Sequence, residues 1–91
     1  MKKAVCVWLA VLLLGLCACT ATAAWQEQYD LGVRYLSEGN YREAIIAFNA
    51  AIEIDPKRAE AYIGLADAYE AQGDVERARQ VLTDALSALE A

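Results

Sequence analysis

The chain carries one pattern twice, 34 residues apart. Shifted by that distance, Leu31 falls on Leu65, Tyr35 on Tyr69, Gly39 on Gly73, Ala44 on Ala78 and Ala51 on Ala85. Phe48 meets Leu82, Gly32 meets Ala66 and Asn40 meets Asp74, so size or chemistry is kept where identity is not. A period of this length marks one supersecondary unit written repeatedly, each copy burying its apolar face on its neighbour. It confines the chain to a stack of like units.

Each unit reads as two helices. Leu31 and Tyr35 lie four apart, on one helical face. Gly39 stands where that helix should stop, because glycine accepts the left-handed conformation beyond a C-terminus. Asn40 is then expected to cap the second helix, with Glu43 completing a capping box. Ala44, Phe48, Ala51 and Ile52 form that helix's apolar stripe. Asp55 is expected to cap a third helix with Pro56 at its first position, where a missing N–H costs nothing. Tyr62, Leu65, Ala66 and Tyr69 are its core face, Gly73 its end, and Asp74 the cap of a fourth helix. The fourth stripe is Ala78, Leu82, Ala85 and Leu89. Small residues at Gly32, Ala44, Ala66 and Ala78 mark close approaches of helix axes, and Tyr35, Phe48, Tyr69 and Leu82 fill the space beside them.

These residues resemble the tetratricopeptide repeat family. The matched pattern is Leu31-Gly32, Tyr35, Gly39, Ala44, Phe48, Ala51 and Pro56 in the first unit. In the second it is Tyr62, Leu65-Ala66, Tyr69, Gly73, Ala78, Leu82 and Ala85. The resemblance implies an all-α fold: two helix-turn-helix units, four antiparallel helices in a right-handed solenoid, at residues 25–58 and 59–91. Two departures stand out. Gln28 occupies a place where the family prefers an aromatic, with Trp25 and Tyr29 as the candidates to replace it in packing. Leu89-Glu90 stands where Asp-Pro is expected.

The resemblance also implies a concave groove, lined by the first helix of each unit, that receives a peptide segment of another protein. Carried over by position, its residues are Gln26, Tyr29, Val33, Leu36 and Ser37, then Glu60, Ile63, Asp67, Glu70 and Ala71. The first set is largely apolar and the second acidic. The family's carboxylate-clamping groove requires lysine and asparagine, which are missing here, so an acidic C-terminus is not the expected ligand. An apolar partner with basic character fits better. The alternative is that these positions merely face solvent or a neighbouring repeat.

The first 24 residues differ in kind. They hold all three cysteines and no acid, and nothing from Ala4 to Ala24 is charged. Met1-Lys2-Lys3, an apolar stretch from Ala4 to Leu16, and small residues from Ala18 have the layout of a secretory signal peptide. The apolar stretch is shorter than the roughly 20 residues of a bilayer span. Leu16-Cys17-Ala18-Cys19 resembles a bacterial lipobox, which implies a signal peptide at 1–18, lipidation of Cys19, a short tether at 19–24, and anchoring at the cell membrane or outer membrane. Two other readings stay open. Ala21-Thr22-Ala23 and Thr22-Ala23-Ala24 fit ordinary cleavage and a soluble secreted or periplasmic product, and an uncut leader would itself be an anchor.

Without Lys2 and Lys3, the remainder has six bases against thirteen acids, a net charge of −7. Such a surface repels phosphate, so nucleic acid is not an expected partner. No cysteine follows Cys19, and packing alone must hold the fold. The absence of histidine, of a Gly-rich phosphate loop and of metal-ligand spacing argues against an enzyme and against a cofactor or metal. Two units are few for a stack, which usually needs about three with polar caps. Val81, Leu86 and Ala88 are expected to face outward, leaving three outcomes: self-association through the fourth helix, packing on a partner or membrane, or a chain that is the N-terminal piece of a longer lipoprotein. The leading expectation is an exported scaffold for protein–protein interaction. The alternative is a pilotin-like envelope assembly lipoprotein acting by self-association.

Overall fold

The computed structural model describes residues 21–90. They form helix α1 (residues 21–37), α2 (Tyr41–Ile54), α3 (Ala59–Ala71) and α4 (Val75–Glu90). No strand occurs among the described residues, and the expected all-α pair of helical hairpins is what they form. No described helix is long and apolar enough to cross a membrane. Cys19 and the rest of the lipobox lie outside the described residues. Residues 21–24, expected as tether, are helical and run directly into Trp25.

Both hairpin turns close in the same way. Gly39 and Gly73 take φ of +82° and +85°. The N–H of Asn40 donates to the carbonyl of Tyr35 at 2.8 Å, and that of Gly39 to Leu36 at 3.2 Å. Asp74 and Gly73 repeat the pair on Tyr69 and Glu70, each at 2.9 Å. These crossed bonds satisfy the last carbonyls of α1 and α3 and require a left-handed residue. Open space surrounds both glycines, so it is conformation and not crowding that demands them.

The helix starts depart from expectation. Asp74 does cap α4, its Oδ1 accepting from the N–H of Arg77 at 3.1 Å. Asn40 makes no such bond: its side chain turns back to Glu38 at 3.4 Å, and the capping box is not formed. Pro56 is not the first residue of α3 either. Asp55 Oδ1 accepts from Lys57 N–H at 3.1 Å, and its Oδ2 pairs with Arg58 Nε at 3.2 Å. That local turn spends the carboxylate before the helix, which begins at Ala59.

The core is built around Phe48, which is fully buried. It clusters with Ala44, Leu65 and Ala68, and Tyr35, Leu36, Ile45, Tyr69 and Val81 pack against that cluster. A Cβ placed on Gly32 would lie 2.6 Å from the Phe48 ring, and one on Gly64 would lie 2.5 Å from it. The close approach at Gly32 was legible in the repeat; the one at Gly64 was not, because its counterpart 34 residues earlier is Asp30. A second cluster joins Trp25, Ala51 and Ala61. In α4 the expected stripe divides. Ala78 and Ala85 are buried, but Leu82 and Leu89 are exposed by 45% and 42%. Val81, expected outside, packs inward, and Ala88 is half-buried. Phe48 is covered because α3 lies over α2, whereas its counterpart Leu82 has no such helix among the described residues.

Adding a methyl at Gly64 forces the ring to move. Gly64→Ala is expected to lower stability by about 1–3 kcal/mol, and Phe48→Leu in the same chain should recover part of it, because the smaller side chain removes the ring atoms that the new methyl meets. Urea unfolding of the single and double variants measures the coupling; strictly additive losses would contradict the contact. Asp74→Ala should cost about 1 kcal/mol and Asn40→Ala clearly less, since only Asp74 bonds its helix. Equal losses in the same assay would contradict that difference.

Candidate functional site

Helices α1 and α3 carry the expected groove residues at spacings of three and four, which set each group on one helical face. On α3 the structure leaves the whole group in solvent. Glu60, Asp67, Glu70 and Ala71 are exposed, and Ile63 is exposed by 53%. The ion pairs among the described residues are Arg34–Glu38, Arg58–Asp55 and Arg77–Asp74. None involves Glu60, Asp67 or Glu70, so this face presents uncompensated negative charge around an apolar side chain.

On α1 the group divides. Val33 is exposed by 44%, and Gln26 is exposed with its amide donating to Asp30 at 2.9 Å. Ser37 is exposed, its hydroxyl donating to the carbonyl of Arg34 at 2.7 Å. Tyr29 and Leu36 are half-buried and pack on the core. Tyr29 stacks on Trp25 at 5.0 Å between centroids and 9° between planes, and meets Phe48 tilted at 5.9 Å. Stacked and tilted pairs of this kind add to the area they bury. Much of what reads as an apolar groove strip on α1 therefore serves to join the two units.

Gln28 keeps its place beside Leu31 and Tyr35, and the aromatic packing is supplied elsewhere by Trp25, which clusters with Ala51 and Ala61. Trp25 is 3% exposed, and the guanidinium of Arg58 lies 4.3 Å from the centroid of its ring. Arg58 is itself held by Asp55. The chain thus ties Asp55, Arg58, Trp25 and Tyr29 together where the units meet. Sequence reading named Trp25 and Tyr29 as candidates but missed Arg58; its spacing of three from Asp55 was the available signal. The indole N–H of Trp25 is buried with no partner among the described residues, a desolvation cost the stack must outweigh. Among the described residues no cluster of acidic or sulfur side chains could hold a metal ion.

Shallow depressions lie elsewhere. One of about 230 Å³ is lined by Gln28, Leu31, Tyr35, Glu43, Ile46 and Ala47, between α1 and α2. Another, of about 340 Å³, is lined by Ile52, Tyr62, Leu65, Tyr69, Val81 and neighbours, where α2, α3 and α4 meet. The second is walled largely by residues that build the core, whereas the first is rimmed by the exposed Glu43 and Ile46.

The division on α1 is testable. Tyr29→Ala should unfold at clearly lower urea than the parent, by about 3 kcal/mol as for a large aromatic truncation. Val33→Ala should change stability by less than about 1 kcal/mol. Comparable losses would mean that Tyr29 is not a joint.

No curated protein matches the chain. A family model for the tetratricopeptide repeat matches residues 35–90, from the end of α1 to the last residue of α4. The 34-residue period and the paired glycine turns agree with that match, and the chain belongs to the tetratricopeptide repeat family.

Proposed function

We propose that this protein is a non-catalytic scaffold that receives a segment of a partner protein along the α1–α3 face, and that the segment is apolar with at least one basic residue. The observation that carries the reading is the exposed face of α3. Three carboxylates without ion pairs among the described residues, Glu60, Asp67 and Glu70, surround the half-exposed Ile63. Val33 and Gln26 supply exposed surface on α1, while Tyr29 and Leu36 hold that helix in place. Electrostatic complementarity of this kind steers encounter and discriminates among partners more than it adds affinity. Arg58, two residues before Glu60, is engaged by Asp55 and Trp25.

We also propose that the protein acts outside the cytoplasm, anchored by lipid on Cys19. The support is the leader pattern of Lys2-Lys3, an uncharged apolar stretch and Leu16-Cys17-Ala18-Cys19. Two or three acyl chains would anchor it stably, since each buried CH₂ contributes about 0.8 kcal/mol.

Fluorescence polarisation of the full chain in detergent, with apolar peptides that do or do not carry lysine, tests the first proposal. Asp67→Lys with Glu70→Lys is expected to weaken the lysine peptides by about tenfold, equivalent to ~1.4 kcal/mol, and added salt should weaken the parent complex. Glu76→Lys on α4 serves as the control. Equal loss in the control, or preference for acidic peptides, sinks the reading. Mass spectrometry of the membrane-extracted protein tests the second. Expected is a chain beginning at Cys19 with lipid on its sulfur; an unmodified N-terminus at Ala24 or Trp25 rules it out.

A further inference from the structure

Laying the second unit on the first isolates one face without a partner among the described residues. Val75, Leu82, Leu86 and Leu89 correspond to Tyr41, Phe48, Ile52 and Asp55, 34 residues earlier. All four earlier positions are buried or half-buried. Their α4 counterparts are exposed by 54%, 45%, 63% and 42%. Contiguous apolar exposure on this scale marks an interaction surface.

The opposite end of the stack shows what does not cover it. The face that α3 turns toward α2 carries Ala61, Gly64, Leu65 and Ala68. The corresponding α1 residues are Glu27, Asp30, Leu31 and Arg34, which line an open depression of about 380 Å³. Three of these four are charged. A second copy that continued the stack head to tail would press those charges onto leucines, at a desolvation cost that unpaired charges do not recover. The α1 end is built for water and the α4 end is not.

The α4 face suits its own image instead. Val75, Leu82 and Leu89 recur every seven residues, two helical turns, so they form one seam symmetric about Leu82. Laid antiparallel, Leu82 meets Leu82 and each Val75 meets a Leu89. Charge is arranged for the same orientation. The first half of α4 carries Glu76, Arg77 (paired with Asp74) and Arg79, and the second half carries only acids, Asp84 and Glu90. Antiparallel pairing sets each acidic second half beside the half that holds Arg79 and Arg77, whereas parallel pairing sets the two acidic halves together.

We propose that the Val75–Leu89 face of α4 joins two copies of this chain about a two-fold axis at Leu82. The contact is isologous and closed, so association stops at the dimer. It uses neither the α1–α3 face nor its acids, and it leaves that face free in both copies.

Sedimentation equilibrium of the full chain in density-matched detergent tests it, with circular dichroism as the check on folding. The parent is expected to be a dimer of full helicity. Leu82→Glu with Leu86→Glu should keep that helicity and raise the dissociation constant by about tenfold or more. A second measurement reads the geometry whether or not that variant folds. Oxidised Leu82→Cys should show, by peptide mapping, a bond between the two introduced thiols, and mixed Val75→Cys and Leu89→Cys chains should cross-link to each other but not to themselves. A monomeric parent, an open-ended ladder of oligomers, a dimer unaffected by the glutamates, or cross-linking of Val75→Cys to itself would each overturn the proposal. So would stoichiometric capture of a different protein that the two glutamates abolish while the parent alone stays monomeric.

Discussion

Everything in the fold is spaced by one ring. Phe48 is fully buried, and it is seated between Gly32 of α1 and Gly64 of α3, neither of which has room for a Cβ. Interiors are packed at near-crystalline density, so a ring in that position sets how far apart the flanking helices stand. α2 thereby holds α1 and α3 at a fixed separation, and the face those two helices share inherits its width. The Trp25–Tyr29 stack and the Arg58 lid repeat the device on a second joint between the units. Packing has to carry this load, because the ion pairs among the described residues are all local and two of the three are exposed, and exposed pairs contribute little.

A stack held this way is directional. The first helix meets solvent with Glu27, Asp30 and Arg34, and the last meets it with Val75, Leu82, Leu86 and Leu89. The α1 counterparts of the buried Ala61, Gly64 and Ala68 are therefore charged, and the α4 counterparts of Tyr41, Phe48 and Ile52 are apolar and exposed. A solenoid unit has no outside of its own; which side is wet depends on what stacks next. The consequence is a division of labour among surfaces. The α1–α3 face offers carboxylates around an exposed apolar residue, and the α4 face offers a seam of leucines. One suits steering of a basic segment, the other a dry contact.

The repeat made most of this legible in advance. The period located four helices, the two glycine turns and the core positions Ala44, Phe48, Ala51, Leu65, Ala78 and Ala85, because identities recur where packing or positive φ restricts the choice. It failed where the two units differ. Gly64 has no glycine counterpart, so its contact with Phe48 left no periodic trace. Asp55-Pro56 read as a helix start, yet Arg58 and the Lys57 N–H compete successfully for the carboxylate, and α3 begins later. Asn40 read as a cap, yet it directly follows the left-handed Gly39, its N–H closes the turn on Tyr35, and its side chain turns back to Glu38.

What the sequence determined by itself is the unit: its length, its two helices, its turns and the acidity of the face that α3 presents. These depend on local spacing and on residue types that tolerate few conformations, and such signals survive in one dimension. The tertiary structure decided which apolar residues are core. Tyr29 and Leu36 look like groove and are half-buried joints; Leu82 and Leu89 look like core and are exposed; Val81 looks exposed and packs inward. The physical reason is that burial belongs to the neighbour and not to the residue. Phe48 and Leu82 occupy the same place in the repeat, and only the helix laid over the first makes it the centre of the molecule.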